Sequence, residues 1–211
     1  MKLKEQIEEK LKKSGKKFRF IPLPEDLPMD ISAHVAFHGI EMKDAVPTFI
    51  YKTEKGFICV QRRADTRIDM KKLRALAGVK RIGLASPEDL AAFGTHVGLV
   101  PITGFDLPYF VDQKVLKLPL AYGGGGDKIF ALTLKPIDLV ELNHATVGDL
   151  TMSAKKSILS GITPSGDGSL HIGNYLGAVR QFIELARDHE CFLMVADLHA
   201  LTTVQDKVQL Q

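Results

Sequence analysis

Apolar residues recur along this chain with two periods, and the switches between them predict a succession of short helices and strands. Leu3, Ile7 and Leu11 stand at helical spacing among lysines and glutamates, and Gly15 is placed to stop that helix. Phe18–Leu23 alternates as a strand does, and Pro22, Pro24 and Pro28 then break the pattern. Asp30 can cap a short helix that runs to His38 and ends at Gly39. Thr48–Tyr51 and Gly56–Gln61 are β-rich runs around Lys52-Thr53-Glu54-Lys55, which predicts a hairpin. Asp69 opens a helix over Met70–Ala77, closed by Gly78, and Lys80–Ala85 is a further strand. Ser86-Pro87 starts a helix that ends at Gly94. Leu107–Val111, Val115–Leu120 and Ile129–Leu134 read as strands, with Gly123–Gly126 as a wide hairpin turn. Pro136–Leu142 reads as a short helix and Asn143–Ser153 as a polar boundary. Short strands with helices between them predict an α+β domain over residues 1–150, built on a mixed, barrel-like sheet.

Beyond the boundary the pattern changes. Ile158–Gly161 is a short apolar run, followed by the breakers Thr163 to Ser169. A helix follows from about Asn174, with Tyr175, Leu176, Val179, Phe182, Ile183 and Ala186 on one face. Cys191–Ala196 is a second apolar run. Strand, crossover helix and parallel strand make a βαβ unit over residues 153–211, an incomplete α/β arrangement of the Rossmann type.

Composition narrows the class of protein. A hydrophobic fraction of 45% with 25% charged residues is that of a soluble globular chain, and no apolar run reaches the length of a membrane span. The amino terminus is charged and amphipathic and lacks the apolar core of a secretory signal. Cys59 and Cys191 sit in different apolar strands and read as reduced core residues, which fits a cytoplasmic location. No metal-ligand spacing is present. Residues 1–152 carry a net charge of +4 and residues 153–211 a net of −1. The excess is concentrated between Arg62 and Arg81, where Arg62, Arg63, Arg67, Lys71, Lys72, Arg74, Lys80 and Arg81 face only Asp65 and Asp69. Such a run suits a phosphate backbone; the other reading is a solvated helix face.

The loop between Gly161 and Asn174 carries chemistry. Gly173 and Asn174 stand at the mouth of a predicted helix, where unpaired N–H groups and the positive dipole end favour a phosphate, and His171 offers a donor beside it. The words SGITPSG, HIGNYLGAVRQF and ADLHALT, in this order and spacing, resemble the amino-terminal end of the bacterial tryptophanyl-tRNA synthetases, with HIGN where class I synthetases have HIGH. The resemblance implies an ATP site, used with magnesium, lined by Thr163, Pro164, Ser165, His171, Gly173 and Asn174. It implies a protein that charges tRNA with tryptophan. The loop Pro164–Asn174 is slightly longer than in the commonest versions. The KMSKS loop and most of the tryptophan pocket of such enzymes have no counterpart in these 211 residues, so the chain is expected to be a fragment of a longer protein or a truncated gene product.

The first 150 residues resemble another family. VPTFIYKTEKGF, IDMKKLRALAGVKRIGLASPEDL, GTHVGLVPITGF, LPYFVDQKVL and ALTLKPIDLVEL follow, in order, the phrases of the YbaK-like aminoacyl-tRNA deacylases. The resemblance implies hydrolysis of mischarged tRNA with no nucleophilic side chain. The ester is already reactive, and a Gly-x-x-x-Pro loop offers N–H groups to the developing oxyanion. The candidates are Gly98 and Pro101, one residue closer together than in the family, with Thr48 and Lys52 on the first hairpin. The family's usual lysine before that threonine is replaced by Pro47. That substitution leaves open a domain that binds tRNA, or an aminoacyl compound, without hydrolysing it. The basic residues Arg62, Arg63, Arg67, Lys71, Lys72 and Arg74 are the candidate tRNA contacts. Of the scattered histidines, His96 lies inside the candidate loop, while His34, His38 and His144 read as surface or packed residues. The implied partners are tRNA, tryptophan and ATP, with no membrane, and a homodimer is one possible assembly.

Overall fold

The computed structural model describes residues 3–152, 157–162, 173, 177, 179–186 and 189–195 of the 211. It divides into two compact units, Met1–Met152 and Ser153–Gln211.

In the first unit, strands β1 (Phe18–Pro22), β2 (Thr48–Thr53), β3 (Gly56–Gln61), β4 (Ile82–Leu84), β5 (Tyr109–Asp112), β6 (Ala121–Asp127), β7 (Phe130–Leu134) and β8 (Thr146–Gly148) form two sheets. One has the order β4-β2-β3-β5-β8 and the other β1-β7-β6. The β2–β3 hairpin is antiparallel, whereas β3, β5 and β8 run parallel. The described strands close no barrel. Where β6 meets its neighbours in the other layer, it makes only the isolated bridges Ala45↔Tyr122 and Pro101↔Gly124. Val46 N donates to Tyr122 O and Ile102 N to Gly124 O, so β6 changes neighbour between these two glycine-strand positions, and it shifts register between Gly124 and Asp127.

Five helices pack on this frame: α1 (Leu3–Ser14), α2 (Ile31–His38), α3 (Met70–Ala77), α4 (Pro87–Ala92) and α5 (Pro136–Leu142). Their ends follow local chemistry. Asp30 accepts from Ala33 N and Asp69 from Lys71 N and Lys72 N, while Ser86 and Asp89 form a reciprocal capping box. Gly39 and Gly78 end α2 and α3 at φ 62°. Ile58, Val60 and Leu73 pack on one face of the five-stranded sheet, while Cys59, Leu90 and Tyr109 form a cluster with Ile50. Burial on both faces is why β3 reads as a continuous apolar run. A third cluster brings Ile7 and Leu11 of α1 against Ile102, Leu132 and Leu139. Cys59 is buried, and burial pushes its thiol up to about 12; Cys191 is half-buried, and both are free.

Two expected elements change. Val115–Leu120 is not a strand: Val115–Lys117 is one 3-10 turn, held by Leu118 N donating to Val115 O. Gly123–Gly126 is not a turn but lies within β6. The stretch after Asn143, expected as a polar boundary, is ordered into the first unit as far as Met152. β8 joins the sheet, the Asp112 carboxylate accepts from Lys114 N and Leu150 N, and Met152 N donates to Arg67 O at 2.8 Å.

In the second unit, β9 (Ser157–Ile162) and β10 (Glu190–Val195) pair in parallel, with Cys191 opposite Ile158, and α6 (Arg180–Leu185) lies between them in the chain. Leu159, Ile183, Phe192, Leu193 and Met194 are exposed. No described helix is long and apolar enough to cross a membrane. The described residues hold no group of three or more His, Cys, Asp or Glu side chains able to bind a metal ion.

Candidate active site

A mostly apolar cleft of about 380 Å³ opens in the first unit. Its walls come from α2, the start of β2 at Pro47–Phe49, the turn Val97–Val100, and the β6–β7 hairpin from Tyr122 to Ala131. Helix α2 is mostly apolar, yet none of its residues is fully buried, because one side borders this open space.

The glycine strand brings two walls together. A Cβ on Gly124 would lie 2.7 Å from Val100 O, and one on Gly123 would lie 1.7 Å from Ile102 Cγ2 and 2.9 Å from Val46 O. Only a bare backbone lets the Val97–Pro101 segment lie this close, where Ile102 N donates to Gly124 O at 3.1 Å. Gly98 has φ +84°, in the left-handed region, and a Cβ there would meet Met29 O at 3.0 Å. Leu99 N is used by His96 O. Gly98 N and Val100 N donate no hydrogen bond among the described residues.

A buried polar network fixes how Thr48 meets the cleft. Ile102 O can only accept, so the Gln61 group 2.6 Å from it is the amide nitrogen, and the second proton of that Nε2 goes to Thr48 Oγ1 at 3.0 Å. Asn143 Nδ2 also donates to Ile102 O, and the Thr103 hydroxyl donates to Asn143 Oδ1. Thr48 Oγ1 therefore accepts from inside the protein, and its own proton makes no hydrogen bond among the described residues. Gln61 Oε1 is buried without a partner among the described residues.

Of the residues predicted for catalysis, Thr48 and Gly98 line the cleft, and Pro101 anchors the loop through its bridge to Gly124. Lys52 is not brought to the cleft. Its Nζ pairs with Asp89 Oδ1 at 2.9 Å and lies over the Phe57 ring. Of the six predicted tRNA contacts, Arg62 lines the cleft, Arg63 pairs with Asp65, and Lys72 pairs with Asp149 and Thr151 O. Arg67, Lys71 and Arg74 make no ion pair among the described residues. His96 is exposed and does not line the cleft.

His34 and His38, read as surface or packed residues, both stand in the cleft wall with Tyr122. Their i, i+4 spacing on α2 is the signal that could have found them. His38 Nε2 is buried without a partner among the described residues, and burial, then the nearby His34, lowers its pKa. Of the predicted ATP-site residues, Gly173 is helical and exposed, while Thr163, Pro164, Ser165, His171 and Asn174 lie outside the described residues.

The family model for the aminoacyl-tRNA editing domain matches residues 28–142, and that for class I tRNA synthetases (W and Y) matches residues 152–211. A solved chain described as a candidate trans-editing enzyme for prolyl tRNA synthetase superposes with a TM-score of 0.65 at 24% identity, covering 72% of this chain and 98% of that one. That likeness shows the α+β fold. The tryptophan–tRNA ligase of Caldanaerobacter subterraneus subsp. tengcongensis is 59% identical over 56 residues, which is 26% of this chain and 16% of the ligase. That of Prochlorococcus marinus subsp. pastoris is 58% identical over 59 residues, 28% of this chain and 17% of the ligase. The chain thus spans about a sixth of the length of these relatives. With the editing model covering more than half of its residues, the chain belongs to the aminoacyl-tRNA editing domain family, and it continues into a segment similar to class I synthetases.

Proposed function

We propose that residues 1–150 are an editing domain that hydrolyses the ester of mischarged tRNA in the cleft beside Gly98. The observation that carries this reading is that Gly98, Val100 and Thr48 line one cleft with two N–H groups and a hydroxyl proton that make no hydrogen bond among the described residues. Together they offer donors to an oxygen that gains charge as water attacks the ester carbonyl. The Gly98–Pro101 segment supplies the N–H groups, and Gln61 holds Thr48 in its donating role. Lys52 serves the fold through Asp89 rather than the site. Its distance from the cleft, with Pro47 before Thr48, favours the second reading, a domain that binds the aminoacyl end without hydrolysing it. Release of amino acid from a panel of mischarged tRNAs separates the two. Release from at least one member is expected, and silence across the panel would leave only binding.

Arg67, Lys71 and Arg74, which pair with no carboxylate among the described residues, are proposed to meet the tRNA backbone together with Arg63 and Lys72. Replacing Arg67 and Lys71 by Ala should weaken tRNA binding and reduce the slope of log K against log salt by about 2. An unchanged slope would return these residues to an ordinary solvated face.

For residues 153–211 we propose the opening βαβ unit of a Rossmann-type nucleotide fold, in a cytoplasmic protein that charges tRNA with tryptophan. Mg-ATP would bind through Thr163, Pro164, Ser165, His171, Gly173 and Asn174. The parallel pairing of β9 with β10 and the likeness to the ligases support this. These residues are proposed as one side of such a site only, so the 211-residue chain is expected to catalyse no tryptophan-dependent pyrophosphate exchange. Exchange above that of a His171→Ala, Asn174→Ala control would overturn that expectation.

A further inference from the structure

Arg62 occupies a place that a surface residue of a basic run would not. It lies one step beyond the last β2–β3 pair, Thr48↔Gln61, and so stands across from Pro47 at the cleft wall. Its side chain is held on two sides. Nη1 donates to Arg63 O at 2.8 Å and Ala64 O at 3.1 Å, and the guanidinium carbon lies 4.9 Å from the centre of the Phe49 ring, itself a lining residue.

No carboxylate pairs with this half-buried cation among the described residues. The nearby Asp65 is held by both Nε and Nη2 of Arg63. The acids of the cleft wall are engaged elsewhere, Asp30 with Ala33 N and Asp127 with Ile129 N. The other lining cation, Lys128, is exposed at the β6–β7 turn. Removing a guanidinium from water without a counter-charge is costly, and burial lowers its pKa as expected. Nε and Nη2 make no hydrogen bond among the described residues, which leaves an oriented fork able to take two oxygens of one anion.

We infer that Arg62 is an anion subsite of the cleft and takes the phosphate attached to the 5′ oxygen of the terminal adenosine of tRNA. The choice of phosphate rests on the editing reading. An aminoacyl ester has no free carboxylate, so the nearest anion in such a substrate is that phosphate. Arg62 would then set the register of the ester against Gly98 and Thr48 as a positioning residue, while the exposed basic residues hold the tRNA body.

The test is a binding titration of the full chain with 5′-AMP, adenosine and free alanine, followed by NMR or calorimetry. Wild-type protein should bind 5′-AMP roughly 10–100-fold more tightly than adenosine, the range for one charge-assisted pair. Arg62→Gln should bring the two within about threefold, and Arg62→Lys, a point charge without the fork, should fall between. Thermal melts of both variants check that the Nη1 contacts are not needed for folding. If Arg62→Gln melts too low to assay, the wild-type ratio and Arg62→Lys decide. Equal binding of 5′-AMP and adenosine would overturn the inference, as would a preference that survives in folded Arg62→Gln. Arg62-dependent binding of alanine but not of 5′-AMP would overturn it too, in favour of a carboxylate site. The ratio does not depend on hydrolysis. An Arg62-dependent preference for 5′-AMP in a protein that releases no amino acid would keep the subsite and remove the deacylase reading.

Discussion

Gly98→Pro is expected to slow release of amino acid from mischarged tRNA by roughly 10²–10³-fold while the domain stays folded. Two effects act at one position. Proline has no N–H, so one open donor disappears, and its ring requires φ near −65° where Gly98 holds +84°. The turn must then re-form, and Val100 N moves with it. The fold should survive because Gly98 is exposed and Ile102 N still holds the segment to Gly124 O. Gly98→Ala separates the two causes. It keeps the N–H but strains the backbone against Met29 O, so a smaller loss is expected. Single-turnover assays on one susceptible tRNA, with melting curves, give the comparison. Equal rates for wild type and Gly98→Pro would remove the loop from the chemistry.

Gly123→Ala should be the most damaging single methyl in the first unit. The new Cβ would lie 1.7 Å from Ile102 Cγ2 and 2.9 Å from Val46 O, so a side chain and a backbone segment must both move. Overpacking of this kind costs about 3 kcal/mol, and a melting temperature lower by roughly 6–12 °C follows for a domain of this size. Ile102→Ala removes the clashing methyl and should offset part of the loss, so the pair should be less destabilised than the sum of the single changes. A Gly123→Ala protein melting within about 1 °C of wild type would mean that β6 and Ile102 are not packed as described.

Much of the frame is legible in the sequence where a rule is local. Asp30, Asp69 and Ser86-Pro87 announce helices that begin as expected, because a cap needs only its own next three residues. The β2–β3 hairpin and the two apolar runs around α6 are read for the same reason. The glycine run misleads because its need is not local. Four glycines in a row satisfy the rules for a turn, whereas here their small size serves contacts with Val100, Ile102 and Phe130, and two of those three lie over twenty residues away. Thr146–Gly148 is polar and short, and only the free edge of β5 makes it a strand. The candidate site is half legible. Gly98, Pro101 and Thr48 are found through motif resemblance, whereas His34, His38 and Gln61 follow from how β2, β3 and α2 come together. Arg62 is read from the sequence only as one tRNA contact among several, and the fold sets it apart in the cleft wall.

The glycine strand also governs how firmly the cleft is built. Glycine in a strand gives up about 0.5–1 kcal/mol relative to alanine, so the segment Gly123–Gly126 has little tendency to hold its own extended form. Its order is conferred by its neighbours: Val100 and Ile102 on one side, the β7 backbone on the other. A molecule seated in the cleft would press on that same segment, since Gly123 and Gly124 are part of its wall. Occupancy and local rigidity are then one equilibrium, and the amide protons of Gly123–Gly126 should become slower to trade with solvent deuterium as the site fills.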